Sequence, residues 1–193
     1  MEDRNIRADA ASEPTYSIAA RRFHWWTFAL VAVQIPVGLF MVRYGAATNF
    51  APPTGQLYDA HKIVGLTILL LVVARLIYRL IHGAPPAEPT IATWQKGLSH
   101  VTHWLIYLFL IVTPIIGWRA ISHYGPFEPF GIKLPAIAGQ DQEKATQAFL
   151  WHMWAAYTLI VLLGMHVGAA FFHYFIRRDG VVRRMLVRAG RLS

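Results

Sequence analysis

Cysteine is absent from this 193-residue chain. That excludes disulfides, iron–sulfur clusters, thiolate ligation of a metal and covalent attachment of a cofactor through C-x-x-C-H. Charge is scarce as well. Only 15% of the residues are Asp, Glu, Lys or Arg, against 55% hydrophobic. No formal charge occurs between Ala145 and Ile176. A soluble helical bundle rarely buries so long a charge-free helix, and the mean hydropathy of +0.39 points the same way, to a membrane protein. An apolar leader is also missing. Glu2, Asp3, Asp9 and Glu13 mix with arginines at the start, so a polar, poorly ordered tail is expected there rather than a signal peptide. The net charge of +8 is compatible with nucleic-acid binding. Its placement excludes that partner, because the basic residues flank apolar runs instead of forming a patch.

What is present is a set of four apolar runs. Phe23 to Val42 is the first, with Pro36 and Gly38 as possible bends. Ile63 to Ala74 is the second, lengthened by His61 and Lys62 before it and by Arg75 to Ile81 after it. Gly97 to Trp118 and Ala145 to Ile176 are the third and fourth. Segments rich in Pro and Gly separate them, at 44–58, 83–89 and 123–144. A bilayer core needs about 20 apolar residues in a helix. The expected fold is therefore an all-α membrane protein, a four-helix antiparallel transmembrane bundle. Its helices should cover about 22–43, 57–82, 96–121 and 146–177 within a domain at 19–178. A polar tail should precede it at 1–18 and a basic tail follow at 179–193. Thirteen Lys and Arg residues fall on the side of the termini and five on the other. Cytoplasmic sides collect such residues, so both termini are expected to be cytoplasmic in a multi-pass membrane protein.

Histidine carries the chemistry. His152 and His166 stand fourteen residues apart in the fourth run, almost four helical turns. They share a face and lie about 21 Å apart along the axis. Histidines buried in a membrane are costly and point to function. Given the orientation, His24 lies near the cytoplasmic level and His61 near the outer level. The depth-matched pairs are then His24 with His166, and His61 with His152. Two imidazoles facing each other at one depth across two helices suit the two axial positions of a b-type haem iron, so two stacked haems are expected, with all four histidines as iron ligands. Zinc or copper transport is the competing reading, since imidazole binds those metals too. Transport ordinarily also uses carboxylates or thiolates, and the apolar runs hold neither.

Arg75 follows His61 by fourteen residues and reaches the cytoplasmic level with no acid in any run to neutralise it. A buried cation needs an anion, and haem propionates would serve; snorkelling to the interface beside Arg79 is the plainer alternative. Gly38, Gly65 and Gly117 fall at outer depth, where glycine lets a flat macrocycle, or simply a neighbouring helix, come close. His173 lies two turns beyond His166. His100 and His103 open the third helix. Each is a candidate for a propionate or quinone contact. His82 and His123 read as interfacial, and the tryptophans near span ends as belt residues.

In order along the chain stand R-R-F-H-W-W at 21–26, H-K-I-V-G at 61–65 and R-L-I-Y-R-L at 75–80. Then come G-L-S-H-V-T-H-W-L-I-Y at 97–107, T-P-I-I-G-W at 113–118, Gly125-Pro126, and F-G-I-K-L-P at 130–135. Trp151-His152 and G-M-H-V-G-A-A-F-F-H at 164–173 complete the set. Over roughly Tyr16 to Met185 this series resembles the bacterial cytochrome b561 family of four-helix di-haem membrane cytochromes. The resemblance implies two bis-histidine haems b on His24, His61, His152 and His166. It also implies respiratory electron transport between the quinone pool, ubiquinone for instance, and an outer-side partner. One branch of the family is similar to a superoxide oxidase, a membrane oxidoreductase that passes an electron from superoxide to ubiquinone. Arg119 after the G-W pair departs from some members.

Three functions follow as expectations. The first is a di-haem cytochrome carrying single electrons between an outer donor, superoxide among the candidates, and quinone. Arg43, Lys62, Arg119 and Lys133 would then draw the anion in, or are ordinary loop charges offset by Asp59, Glu128, Asp141 and Glu143. The second is a membrane-anchor electron-transfer subunit of a dehydrogenase or hydrogenase complex, serving a periplasmic redox partner. The third is a haem-free metal transporter.

Overall fold

A computed structural model describes residues 15–186. The polar tail expected before residue 15 and the basic residues after 186 lie outside the described residues. Four long helices carry the fold: α1 (Ile18–Thr48), α2 (Thr54–His82), α3 (Thr93–Tyr124) and α4 (Gln142–Phe171). A π-helical turn, Phe172–Arg177, continues α4, and a short α5 (Arg183–Leu186) follows. Among the described residues there is no strand. Each of the four is long and apolar enough to cross a membrane, at 31, 29, 32 and 36 residues with the π turn counted in α4. A helix of that length spans about 45–50 Å, so its ends project beyond a hydrocarbon core of roughly 30 Å. The apolar runs mark only the middle of each helix, because the polar end turns lie in headgroups and water.

The helix ends are written locally. Ser17 caps α1 by accepting from the Ala20 N–H at 3.2 Å. Asn49 closes it in the left-handed region (φ 51, ψ 45). Gly83, at φ 69, ends α2 and donates to the Arg79 carbonyl at 2.9 Å. Asp141 caps α4 by accepting from the Lys144 N–H at 3.1 Å. The Lys144 ammonium bonds the same carboxyl and holds it below the usual carboxylate range. Pro36 and Pro114 sit inside α1 and α3, which both run through them.

Close packing joins α1 to α2, α2 to α3, and α3 to α4. α4 makes no comparable contact with α1 or α2. The buried core is Val31, Ile68, Val72, Tyr107, Leu110 and Leu159. Val31, Ile68 and Leu159 each follow a histidine by seven residues, so the core is an apolar layer between the two histidine levels. Elsewhere the helices show apolar faces outward, with Trp26, Trp94 and Trp151 each more than three-fifths exposed, as an interfacial belt requires. The first and last described residues and the 83–92 loop share one end of the bundle, where the Tyr16 N–H donates to the Arg184 carbonyl at 3.4 Å. This is the terminal end. The 49–53 and 125–141 loops form the far end.

At the far end the long loop is tied down. Asp59 accepts from the Phe130 N–H at 3.0 Å and from Lys62 Nζ at 2.9 Å. Trp118 donates to the Pro135 carbonyl at 2.9 Å. His123, expected at the interface, is instead buried beneath this loop at 6% exposure. Its Nδ1–H donates to the Gly139 carbonyl at 2.6 Å and its Nε2 accepts from Arg119 at 3.3 Å. Sequence position near a span end suggested an interfacial ring; the loop folding back over it could not be seen without tertiary contacts.

Candidate functional site: two imidazole pairs

The unpacked side of α4 faces α1 and α2, and two histidine pairs span that gap. The His24 and His166 rings stand 6.1 Å apart, centre to centre, at the terminal level. The His61 and His152 rings stand 6.1 Å apart at the far level. An imidazole nitrogen binds a metal at about 2 Å and the ring centre is about 1 Å further, so two rings sharing one metal stand roughly 6 Å apart. Both pairs meet that spacing. No cluster of three or more His, Asp or Glu able to hold a metal ion occurs among the described residues. A donor set of only two imidazoles suits a metal whose other four donors come with it in a macrocycle.

The rings of the far pair are set by their neighbours. His152 donates Nδ1–H to the Thr113 carbonyl at 2.9 Å. That bond leaves Nε2 with its lone pair and fixes the ring, the usual second contact of a metal-ligating histidine. His61 has a buried Nδ1 with no hydrogen-bond partner. Glycine is what admits these rings. A Cβ on Gly117 would lie 2.9 Å from His152 Cε1 and Nδ1, and one on Gly38 would lie 2.9 Å from His61 Cε1. Both are closer than real contacts permit. The two glycines therefore make room for imidazole, not for a macrocycle directly. A Cβ on Gly65 would lie 3.1 Å from the Gln34 amide nitrogen, and that amide donates to the His61 carbonyl at 2.8 Å.

The terminal pair is richer. Arg75 Nη2 donates to His24 Nδ1 at 3.1 Å. On a neutral ring this puts the proton on Nε2, the reverse of His152. His24 can offer Nε2 to a metal only once Arg75 turns to another acceptor. The guanidinium also lies 5.3 Å from the Tyr107 ring centre, in cation–π range. His103 is edge-on to His166 at 5.1 Å, with its Nδ1–H donating to the Ser99 carbonyl at 2.6 Å. The terminal level thus gathers three imidazoles and one cation.

The other sequence candidates divide. His103 joins the cluster. His100 is exposed. His173 gives its Nδ1 to Asp179 at 2.6 Å. Tyr107, Thr113, Ser99 and Asp179 were not singled out from the sequence. Thr113 and Ser99 act through backbone carbonyls, which no residue type announces. Tyr107 lay two turns from His100 and carried a readable hint as the lone phenol of that helix face.

Comparison with known proteins now has a geometry to meet. The sequence pattern of the prokaryotic cytochrome b561 family matches residues 15–187. The chain belongs to the prokaryotic cytochrome b561 family. It is 28% identical to cytochrome b561 homolog 2 of Escherichia coli, over 89% of this chain and 90% of that protein. It is also 28% identical to the probable superoxide oxidase CybB of Yersinia pestis, over 89% and 95%. Cytochrome b562 of Cereibacter sphaeroides is 26% identical over 90% and 96%. The chain is thus a multi-pass bacterial membrane protein, and membership makes it a haem b electron carrier.

Proposed function

We propose that this cytochrome holds two haems b, one on His24 and His166 and one on His61 and His152, and relays single electrons between an outer-side donor and the quinone pool. The terminal end is then cytoplasmic, as the Lys and Arg bias requires. The observation that carries the reading is the pair of 6.1 Å imidazole couples at two depths, across helices that do not otherwise close up. An iron held between His24 and His166, or between His61 and His152, would supply a one-electron couple. Thr113 holds His152 in the ligating tautomer. Gly117 and Gly38 keep the far rings seated. Arg75 would leave His24 Nδ1 for the propionates of a haem at the terminal level, which would free His24 to ligate and neutralise a buried cation. His103, edge-on to His166, would serve a propionate or quinone contact at that level.

The test is a reduced-minus-oxidised spectrum with haem quantitation on the purified protein and on His24→Ala and His61→Ala. Two haems per chain are expected, with each variant losing a different one. A single haem in the parent, or loss of the same signal in both variants, overturns the assignment.

Superoxide is the first candidate donor, supported by the likeness to a probable superoxide oxidase. Rapid haem reduction on stopped-flow mixing with superoxide tests it. A different observation favours a protein donor instead. Lys62, Lys133 and Lys144 are paired with Asp59, Glu128 and Asp141 at 2.9, 4.0 and 2.8 Å, which weakens any field that would draw in an anion. Phe130, Ile132 and Ile137 meanwhile stand half-exposed on the far loop. In the anchor-subunit reading they would meet a redox partner, and copurification of a dehydrogenase or hydrogenase subunit tests that.

A further inference from the structure

Residues 178–186 fold back over the terminal end, although the sequence predicts a basic tail from 179 onward. Arg178 turns the chain in the left-handed region (φ 53, ψ 36) directly after the π turn. Asp179 then drives its carboxylate onto His173 Nδ1 at 2.6 Å, with the side chains only 7% and 13% exposed. Arg177 Nε stands 3.5 Å from the same carboxylate, and the Val181 N–H donates to it at 3.2 Å. From this anchor the segment crosses the bundle. Arg184 donates to the Pro86 carbonyl at 2.8 Å, and Trp25 donates to the Met185 carbonyl at 3.3 Å.

Beneath the crossing lies a recess of about 30 Å³, walled by Ala20, Arg75, Arg79, Tyr107 and Met185 among others. That volume holds about one water molecule. Its charged walls are both guanidinium groups, and one of them is the Arg75 that touches His24. Such a recess favours water or an acceptor oxygen over an apolar neighbour, yet Met185 of the crossing segment forms part of its wall. α5 has four residues, too few to persist as a free helix. The charge-assisted contact at Asp179 is the buried anchor of the segment.

We propose that residues 178–186 are a hinged strap over this cationic recess, latched by Asp179 on His173, and that its release opens the path from water to Arg75 and His24. The latch stands whether or not haem is bound; its meaning for electron transfer rests on His24 being a haem ligand. The π turn fits a hinge, since such turns loosen the helical ladder where a segment must change direction.

The absence of native cysteine makes the test clean. Ala20→Cys supplies a single thiol in the recess, and Ser122→Cys a control thiol buried at the far end. Reaction with a hydrophilic maleimide is followed on the full chain in nanodiscs. Asp179→Asn and His173→Gln should each speed labelling at position 20 by about tenfold, with position 122 unchanged. Arg184→Gln, which loosens the far end of the strap without touching α4, should speed it as well. Labelling of position 20 at the parent rate in all three backgrounds overturns the strap, as does an equal rise at position 122, which would mean general loosening. Haem content, read in the same samples, reports on the ligand assignment, so either reading can fail without the other.

Discussion

At the scale of single residues, space and proton position decide what each histidine can do. His152 and His24 are the same side chain at equivalent places on antiparallel helices, yet opposite ring nitrogens carry the proton, because one faces a carbonyl and the other a guanidinium. Gly117 is the most sensitive neighbour. A methyl there would overlap the His152 ring at 2.9 Å, and the helix backbone cannot yield. Gly117→Ala should therefore remove the far haem while the terminal haem stays, halving the haem-to-protein ratio in a pyridine haemochromogen assay. Arg75→Gln tests the terminal level. Removing a cation beside a redox centre stabilises its oxidised form. The terminal haem should lose roughly 50–100 mV in midpoint potential, from a charge within several ångströms at an effective dielectric near 20, and redox titration measures this. An unchanged potential would show that Arg75 points away from the cofactor.

At the scale of elements, the long helices are the robust part and their connections the informative part. α2 begins under the far loop, and Asp59 ties the two by accepting from Lys62 and from the Phe130 N–H, two residues before His61. Both partners are partly solvated, so the tie is worth about 1 kcal/mol. Asp59→Asn should raise hydrogen exchange at the Phe130 amide about fivefold and leave the middle of α2 protected. Exchange unchanged at Phe130 would mean the loop is held by Trp118 and His123 instead. The helices themselves were readable, since charge-free runs of that length admit few alternatives. Their ends were not, because caps such as Ser17 and Asp141 lie in polar sequence that looks like loop. His123 and His173 show the same limit. Both partners, Gly139 and Asp179, come from segments whose path depends on the whole fold.

At the scale of the whole molecule, stability and function draw on different directions. α1 to α4 pack in succession and the apolar layer around Val72 joins them, while the side between α4 and α1–α2 is bridged by rings. In lipid no hydrophobic force drives helices together, so that open side is not closed by default and a flat group can occupy it. The electrostatic surface is likewise a property of the whole. With three far-end lysines paired, little net field reaches outward. If superoxide is the donor, its rate of haem reduction should fall less than about threefold between 20 and 200 mM salt. Stopped-flow at several ionic strengths measures this, and a steep decline would show that Arg43 and Arg119 dominate the field.

Sequence by itself determined the number of helices, their apolar length and the fourteen-residue spacing that puts histidines at two depths, because hydropathy and helical period are local quantities. Only the tertiary structure decided that Gly38 and Gly117 seat imidazoles, that Arg75 rests on His24, and that Asp179 ties the chain end across the bundle. Those are contacts between residues far apart along the chain, and their geometry exists only once the helices have packed.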